Sequence, residues 1–204
     1  MSGYRFVVAT SDEQFEQIHR LNYRTFVEEI PQHEPNAERR YVDRFHAENT
    51  YVVAETGGRV VGMICVRDRR PFSVDQKIGP FERHLPPSVP PPERPCEVRL
   101  LAIEPEHRHG RVILGLFRGI LAIGLDRGYD FILMSGLVAN QRMYRALGFR
   151  PFGPLTGSAE APFQPMYATG RLFALAQGSG AIAGALPAML ASALRSFGGD
   201  PDPR

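Results

Sequence analysis

One stretch of the sequence, residues 97–134, constrains the fold more than any other. It begins with an apolar strand pattern at 97–103, continues with a very apolar helical pattern at 108–127, and ends with a second apolar strand at 129–134. The second strand lacks alternation between apolar and polar residues, as expected for a strand that is buried on both faces. Together with its flanks, this stretch predicts an α/β (α+β) domain with a mixed central β-sheet.

The flanking segments supply further short strands and helices. A helix is predicted from Ser11 to about Glu28, capped by Thr10 with Glu13 or by Ser11 with Gln14 three residues later. Gly57-Gly58 separates two β-rich runs and predicts a hairpin. The expected sheet has about seven strands flanked by helices, and the remaining predicted elements are strands at 4–9, 50–55, 59–66, 149–152 and 165–173 and a helix at 139–147.

Residues 68–95 form a proline-rich insertion that holds eight of the chain's 18 prolines. Prolines at this density predict a long surface loop without helix or central strand. The insertion also contains Phe72, Ile78, Phe81 and Leu85. These apolar residues either pack on the core or wall a channel for an acyl chain longer than acetyl.

The C-terminal segment differs in composition from the rest of the chain. We expect residues 1–173 to form the main domain and 174–204 to be an appendage, with an amphipathic helix at 182–197 and a disordered end. The helix is expected to pack on the domain or on a second copy of the chain in a homodimer, because its polar face lacks the basic residues of a membrane-surface helix.

Composition narrows the function classes. The net charge is +2, from 24 basic and 22 acidic residues, which argues against a nucleic-acid binder. The sequence contains neither a membrane-span pattern nor a signal peptide at its start.

Cys65 and Cys96 have no metal-ligand spacing, so we expect two reduced thiols, no metal and a cytoplasmic location. Cys96 beside Glu97 is more plausibly a buried inert thiol than an acyl-enzyme nucleophile.

Two passages carry candidate chemistry. The first leads from the 97–103 strand through Pro105 into a helix whose opening residues are Arg108, His109, Gly110, Arg111 and Val112. Exposed amides at a helix start bind phosphate, and a glycine there permits close approach. The alternative is an ordinary basic helix start.

In the second passage Asn140 lies four residues before Tyr144 on one helical face, and Leu-Gly-Phe follows.

Taken together, residues 4–173 resemble the GNAT superfamily of N-acyltransferases. The first passage is similar to the motif that binds the pyrophosphate of acyl-CoA, although it offers only Gly110 where the family has several glycines. The second passage is similar to the motif that contributes the Asn and Tyr, here Asn140 and Tyr144. The resemblance implies a GNAT fold and acyl-CoA or acetyl-CoA as co-substrate, with no metal.

A narrower resemblance links the chain to the branch of acyl-homoserine-lactone synthases and long-chain N-acyl amino acid synthases. It rests on the 21–30 segment LNYRTFVEEI, the proline-rich insertion and the carboxylate that opens the 97–103 strand. It implies that Arg24 and Glu97 line the acceptor site, and we expect Phe26 and Arg99 to bind the substrate with Arg24. The chain has no Trp where the lactone branch has one, which favours a related N-acyltransferase over an autoinducer synthase.

The resemblance implies direct attack of a small-molecule amine, in one reading an amino acid, on the thioester. Glu97 is the expected base, and its alternative is a surface salt bridge with Arg99. A backbone amide in the stretch from Leu101 to Ile103 is expected to polarise the thioester carbonyl, and Tyr144 to protonate the leaving thiolate. The donor is acyl-CoA or an acylated carrier protein. The contrasting hypothesis is a non-catalytic GNAT-fold module that binds an acyl thioester.

Overall fold

The computed structural model describes residues 3–169, and the predicted 182–197 helix and C-terminal tail lie outside the described residues. Eight strands form one mixed sheet in the order β1-β2-β3-β4-β5-β8-β6, with β7 paired to β8. The strands are β1 (Arg5–Val8), β2 (Thr50–Thr56), β3 (Arg59–Arg67), β4 (Pro95–Ile103), β5 (Phe131–Leu137), β6 (Arg150–Pro151), β7 (Thr156–Gly157) and β8 (Pro162–Thr169). The predicted fold class is confirmed.

In the described part of the chain four α-helices accompany the sheet: α1 (Asp12–Tyr23), α2 (Ser73–Ile78), α3 (Gly110–Arg127) and α4 (Gln141–Ala146). Ser11 and Gln14 form the capping box expected at the start of α1. Beyond Tyr23 the chain widens into a π-helical segment, Arg24–Glu29, which the sequence pattern had assigned to the same α-helix. Short 3₁₀ turns occur at His46–Glu48, Phe81–His84, Pro105–His107 and Val138–Asn140.

The α3 helix packs closely on one face of the sheet. An added Cβ at Gly115 would lie 2.1 Å from Phe6, and one at Gly119 would lie 2.6 Å from Val52. Both distances are far below a van der Waals contact, so the small residues of α3 are required for this approach. The core on this face also contains residues of β3, β4, β5 and α4.

The opposite face is covered by two different elements. The α1 helix buries Ile18 and Leu21 against β2 and β3. The insertion buries Phe72 and Phe81 against Phe131 and other residues of β5 and β8. These insertion aromatics therefore pack on the core, which is the first of the two alternatives raised by the sequence.

The prediction that the insertion contains no helix is wrong. The α2 helix spans Ser73–Ile78, between Pro71 and Pro80, where the sequence holds no proline. Proline density averaged over 68–95 concealed this proline-free run. The helix is only six residues long, and it is fixed by contacts from β4 that are described below.

Candidate active site

The strands β4 and β5 are parallel and paired only at their beginnings, where Pro95, Cys96 and Glu97 lie opposite Phe131, Ile132 and Leu133. Beyond these three pairs, the residues of β4 and β5 no longer pair with each other. A cavity of about 360 Å³ lies in this divergence, lined by Val98–Leu101 of β4 and by Met134, Ser135 and Leu137 of β5. The break in pairing therefore creates the cavity.

The cavity reaches both faces of the sheet. Val98 and Met134 belong to the core under α3, and Tyr144 of α4 lies in the same core. Arg99, one position further along β4, points to the opposite face, as alternation along a strand requires. There the lining comes from Phe26, Asp43 and the insertion residues Ser73 and Lys77, among others.

A bulge in β4 shapes the edge of the cavity. The ladder between β3 and β4 loses its regular register between Met63 and Cys65, and Leu100 adopts φ 56°. A leucine in the left-handed region is strained, and such strain is concentrated at functional sites. The bulge takes Leu100 and Leu101 out of the regular ladder, and both line the cavity. Ile103, the far end of the predicted carbonyl-binding stretch, is instead a buried core residue.

Tyr144 and Asn140 meet as the sequence motif predicts, and both line the cavity. Burial raises the pKa of Tyr144 to about 12, against the opposing effect of its hydrogen bond with Asn140. The phenol is therefore protonated across the neutral range and available as a donor. Gly136 makes room for the ring, because a Cβ there would lie 2.6 Å from Tyr144 Cε2.

Arg99 forms a two-pronged ion pair with Asp43, with distances of 2.7 Å from Nη1 to Oδ2 and 3.0 Å from Nη2 to Oδ1. Burial opposes ionisation of Asp43, but hydrogen bonds and charge from Arg99 outweigh it and lower the pKa of Asp43. Phe45 lies under Arg99 and also under Arg67, which is paired with Glu48. These contacts fix the 43–48 segment over β3 and β4.

Glu97 is fully buried, not at the surface. Its carboxylate accepts hydrogen bonds from the Ser73 amide at 2.9 Å, the Ser73 hydroxyl at 2.7 Å and the Val74 amide at 2.9 Å. Arg99 Nε lies 3.5 Å from its Oε2. The expected contact with Arg99 thus exists in a buried setting. Glu97 also satisfies amides at the start of α2, which have no helical acceptor of their own.

The start of α3 departs from the sequence expectation. Arg108 precedes the helix, and its guanidinium donates to the Ile103 carbonyl at 2.9 Å and pairs with Glu29. The Val112 amide already donates to His109 at 3.0 Å. The opening amides without a helical acceptor are therefore those of Gly110 and Arg111. Arg108 was predicted to begin the helix but lies outside α3, because the 3₁₀ turn at Pro105–His107 delays the start of the helix to Gly110.

Histidines surround this helix start. The Tyr4 hydroxyl lies 2.8 Å from His107 Nδ1 and 2.9 Å from His109 Nε2. The Arg111 guanidinium lies 5.8 Å from the centre of the Tyr4 ring. Tyr4 thus organises both imidazoles beside the amides of Gly110 and Arg111, a contact between the first strand and this loop that no motif indicated.

Of the predicted site residues, the structure brings five together at the cavity: Phe26, Arg99, Leu101, Asn140 and Tyr144. Arg24 is not among the lining residues and pairs with Glu104 at 2.8 Å. Glu97 does not line the cavity either, but it contacts Arg99, which does. Sequence reasoning missed several lining residues: Asp43, Arg44, Lys77, Ser135 and Phe163. The Ser135 hydroxyl is buried and has no hydrogen-bond partner among residues 3–169, so it is available to a bound molecule.

Both cysteines are free and buried. Burial raises the pKa of each thiol, which disfavours the thiolate and agrees with the inert reading of Cys96. Within residues 3–169, no group of three or more His, Cys, Asp or Glu side chains is arranged to hold a metal ion. That same part of the chain contains no helix with the length and apolarity needed to cross a membrane.

Comparisons with known proteins identify the family. The sequence model of the N-acyl amino acid synthase FeeM family matches residues 17–169. The chain belongs to this family. It is therefore an N-acyltransferase, and the resemblance to the synthase branch is confirmed. No curated protein matches the sequence significantly.

Solved structures confirm the fold. A CoA-dependent acyl-homoserine lactone synthase, BjaI, has a TM-score of 0.67 at 19% identity, covering 86% of this chain and 88% of that chain. FeeM from uncultured soil microbes has a TM-score of 0.62 at 15% identity, covering 85% and 94%. Escherichia coli ElaA has a TM-score of 0.55 at 13% identity, covering 82% and 99%.

Proposed function

We propose that this chain transfers an acyl group from acyl-CoA to the α-amine of a free amino acid. The single observation that carries the proposal is the cavity between β4 and β5, which has a buried phenol on one face of the sheet and a charged lining on the other. The donor identity is supported by the phosphate-binding character of the α3 start. It is also supported by fold neighbours described as CoA-dependent.

In the proposed reaction the amine nitrogen attacks the thioester carbonyl carbon, the C–N bond forms and the C–S bond breaks. Tyr144 donates its proton to the leaving sulfur. The Leu100–Leu101 bulge presents backbone to the carbonyl oxygen, in the stretch where a polarising amide is expected. The Ser135 hydroxyl provides a further donor in the same cavity.

The amine loses its proton to water. The α-ammonium at a chain terminus has a pKa of about 7.7–8.0, the adjoining carboxylate of a free amino acid raises that pKa, and a carboxylate paired with a cation raises it less. The cations that line the cavity, Arg44 and Lys77, lower that pKa by repulsion. The base role of Glu97 stays a prediction. Its three hydrogen bonds from Ser73 and Val74 support a positioning role instead, with Glu97 holding α2 and Arg99 in place.

The test is a donor-by-acceptor matrix: acetyl-, octanoyl- and palmitoyl-CoA, and the same chains on acyl carrier protein, each with the twenty amino acids. Free thiol reports transfer, and mass spectrometry identifies the N-acyl product. We expect an N-acyl amino acid for at least one acceptor. Thioester binding without any product would overturn the proposal and support a non-catalytic module.

A further inference from the structure

The chain contains one lysine among its 24 basic residues, and that lysine, Lys77, lines the cavity. It lies on α2 within the proline-rich insertion, on the face of the sheet opposite Tyr144. Its ammonium is 5.5 Å from the centre of the Phe163 ring, another lining residue. Its side chain is exposed, as is that of Arg44, whereas the cavity lining at Ile64, Val98 and Phe117 is buried.

The charges at this rim are unbalanced. Asp43, the carboxylate of the lining, pairs with Arg99, whose Nε also lies 3.5 Å from the buried carboxylate of Glu97. Neither Lys77 nor Arg44 forms an ion pair within residues 3–169, and Arg44 donates only to the amide oxygen of Gln76. Desolvation lowers the pKa of Lys77, against the opposing charge of Glu97. An anion bound beside Lys77 would stabilise its charged form.

We propose that Lys77, assisted by Arg44, binds the α-carboxylate of the acceptor. The inference rests on the proposed function and names the residues that restrict it to free amino acids. With the carboxylate at the exposed rim, the α-amine, two bonds from the carboxylate carbon, faces the gap between β4 and β5. A lysine suits this task because its ammonium is a compact charge on a flexible stem, whereas Arg99 is already engaged in a rigid two-pronged pair.

The position of Lys77 separates this site from the expected phosphate site of the donor. Phosphates are expected at Gly110 and Arg111, where α3 begins and packs on the other face of the sheet. The two anionic groups of the reaction are thereby bound on different faces. Loss of Lys77 should affect the acceptor and leave CoA affinity unchanged.

The test measures binding by calorimetry in the presence of saturating CoA. The probes are two matched pairs: L-leucine with 3-methylbutylamine, and L-phenylalanine with 2-phenylethylamine. We expect Lys77→Met to weaken binding of the better amino acid by tenfold or more and to leave the amines unchanged. Lys77→Arg should retain part of the affinity. Arg83→Gln, on the exposed surface of the same insertion, is the control.

The inference would be overturned if the wild-type protein bound an amine as tightly as its amino acid, or bound neither amino acid. It would also be overturned if the Lys77→Met variant kept full affinity for the amino acid, or lost affinity for CoA in parallel. Transfer assays are read separately. Carboxylate-dependent binding without acyl transfer contradicts the proposed function and leaves this site standing. Equal acylation of amines and amino acids contradicts the site and leaves the function standing.

The single lysine provides a second readout that does not depend on a folded variant. Reductive methylation with ¹³C-formaldehyde labels Lys77 and the N-terminal amine while preserving both charges. We expect the Lys77 methyl resonance of the wild-type chain to shift on addition of the better amino acid and to stay in place with its amine. A resonance that responds equally to both would contradict the assignment.

Discussion

The carboxylate of Glu97 accepts two hydrogen bonds from Ser73, one from its amide and one from its hydroxyl. This pair joins β4 to the first turn of the short α2 helix and so places Lys77 at the cavity. A buried carboxylate in this arrangement fixes the insertion that borders the acceptor side.

Replacing Glu97 with Gln tests this role. The amide side chain loses an acceptor atom opposite the Ser73 and Val74 amides, so a buried donor is left unsatisfied at a cost of about 1–3 kcal/mol. We expect a lower denaturation midpoint, faster proteolysis within 68–95 and a larger effect on acceptor KM than on donor KM. Glu106→Gln, at an exposed position, is the control. A stable, protease-resistant Glu97→Gln enzyme with a lower kcat alone would favour the base role.

Tyr144→Phe removes the phenol while keeping the ring in its place. Because the proton is donated only as the C–S bond breaks, we expect kcat and kcat/KM to fall together, by about 100-fold or more, with donor affinity retained. Tyr167→Phe is the matched control, since Tyr167 is buried in the core under the insertion, away from the cavity lining. Wild-type kcat in Tyr144→Phe would remove this residue from the mechanism.

Gly136→Ala should displace the Tyr144 ring without altering its phenol group. The added Cβ would lie 2.6 Å from the Tyr144 ring, so the ring must move. We expect lower stability and lower kcat. Gly119→Ala meets Val52 at the same distance of 2.6 Å, in the contact between α3 and the sheet. It should lose stability with little change in kcat, and equal kinetic losses in the two variants would contradict the positioning argument.

The buried lining of the cavity predicts how activity depends on the donor. Phe117, Val98 and Met134 offer apolar surface on the α3 face, and each buried methylene contributes about 0.8 kcal/mol. We expect kcat/KM to rise with chain length from acetyl to octanoyl. Phe117→Leu should move the optimum to longer chains, whereas Phe149→Leu, which packs on Phe117 outside the lining, should not. A preference for acetyl-CoA would contradict this prediction.

Acid stability depends on His19, a buried residue of α1. Desolvation, followed by the charges of His46 and Arg40, lowers the pKa of His19 to about 4. An unfolded histidine has a pKa of about 6.5, so between these values the unfolded chain binds a proton that the folded chain does not. Stability should therefore decrease as the pH falls from about 6.5 to about 4. Denaturation midpoints of wild type and His19→Gln across this range measure the effect, and identical pH profiles would contradict it.

The sequence predicted most strands, the α3 helix and the Asn140–Tyr144 pair because each is encoded by local periodicity or by a short motif. It did not predict that Glu97 turns into the protein to bind Ser73, since that contact joins residues far apart in the chain. The sequence likewise did not predict that Arg108 pairs with Glu29, which belongs to the distant N-terminal segment. Lys77 could have been singled out from the sequence, because it is the only lysine in the chain.

The gap between β4 and β5 also bears on how the enzyme finishes a turnover. If donor and acceptor reach it from opposite faces, the product lies threaded through the sheet, with its hydrocarbon tail on one side and its carboxylate on the other. Such a molecule must leave by drawing one end through the constriction. Egress then slows as the tail lengthens, so the longest chains become the tightest product inhibitors.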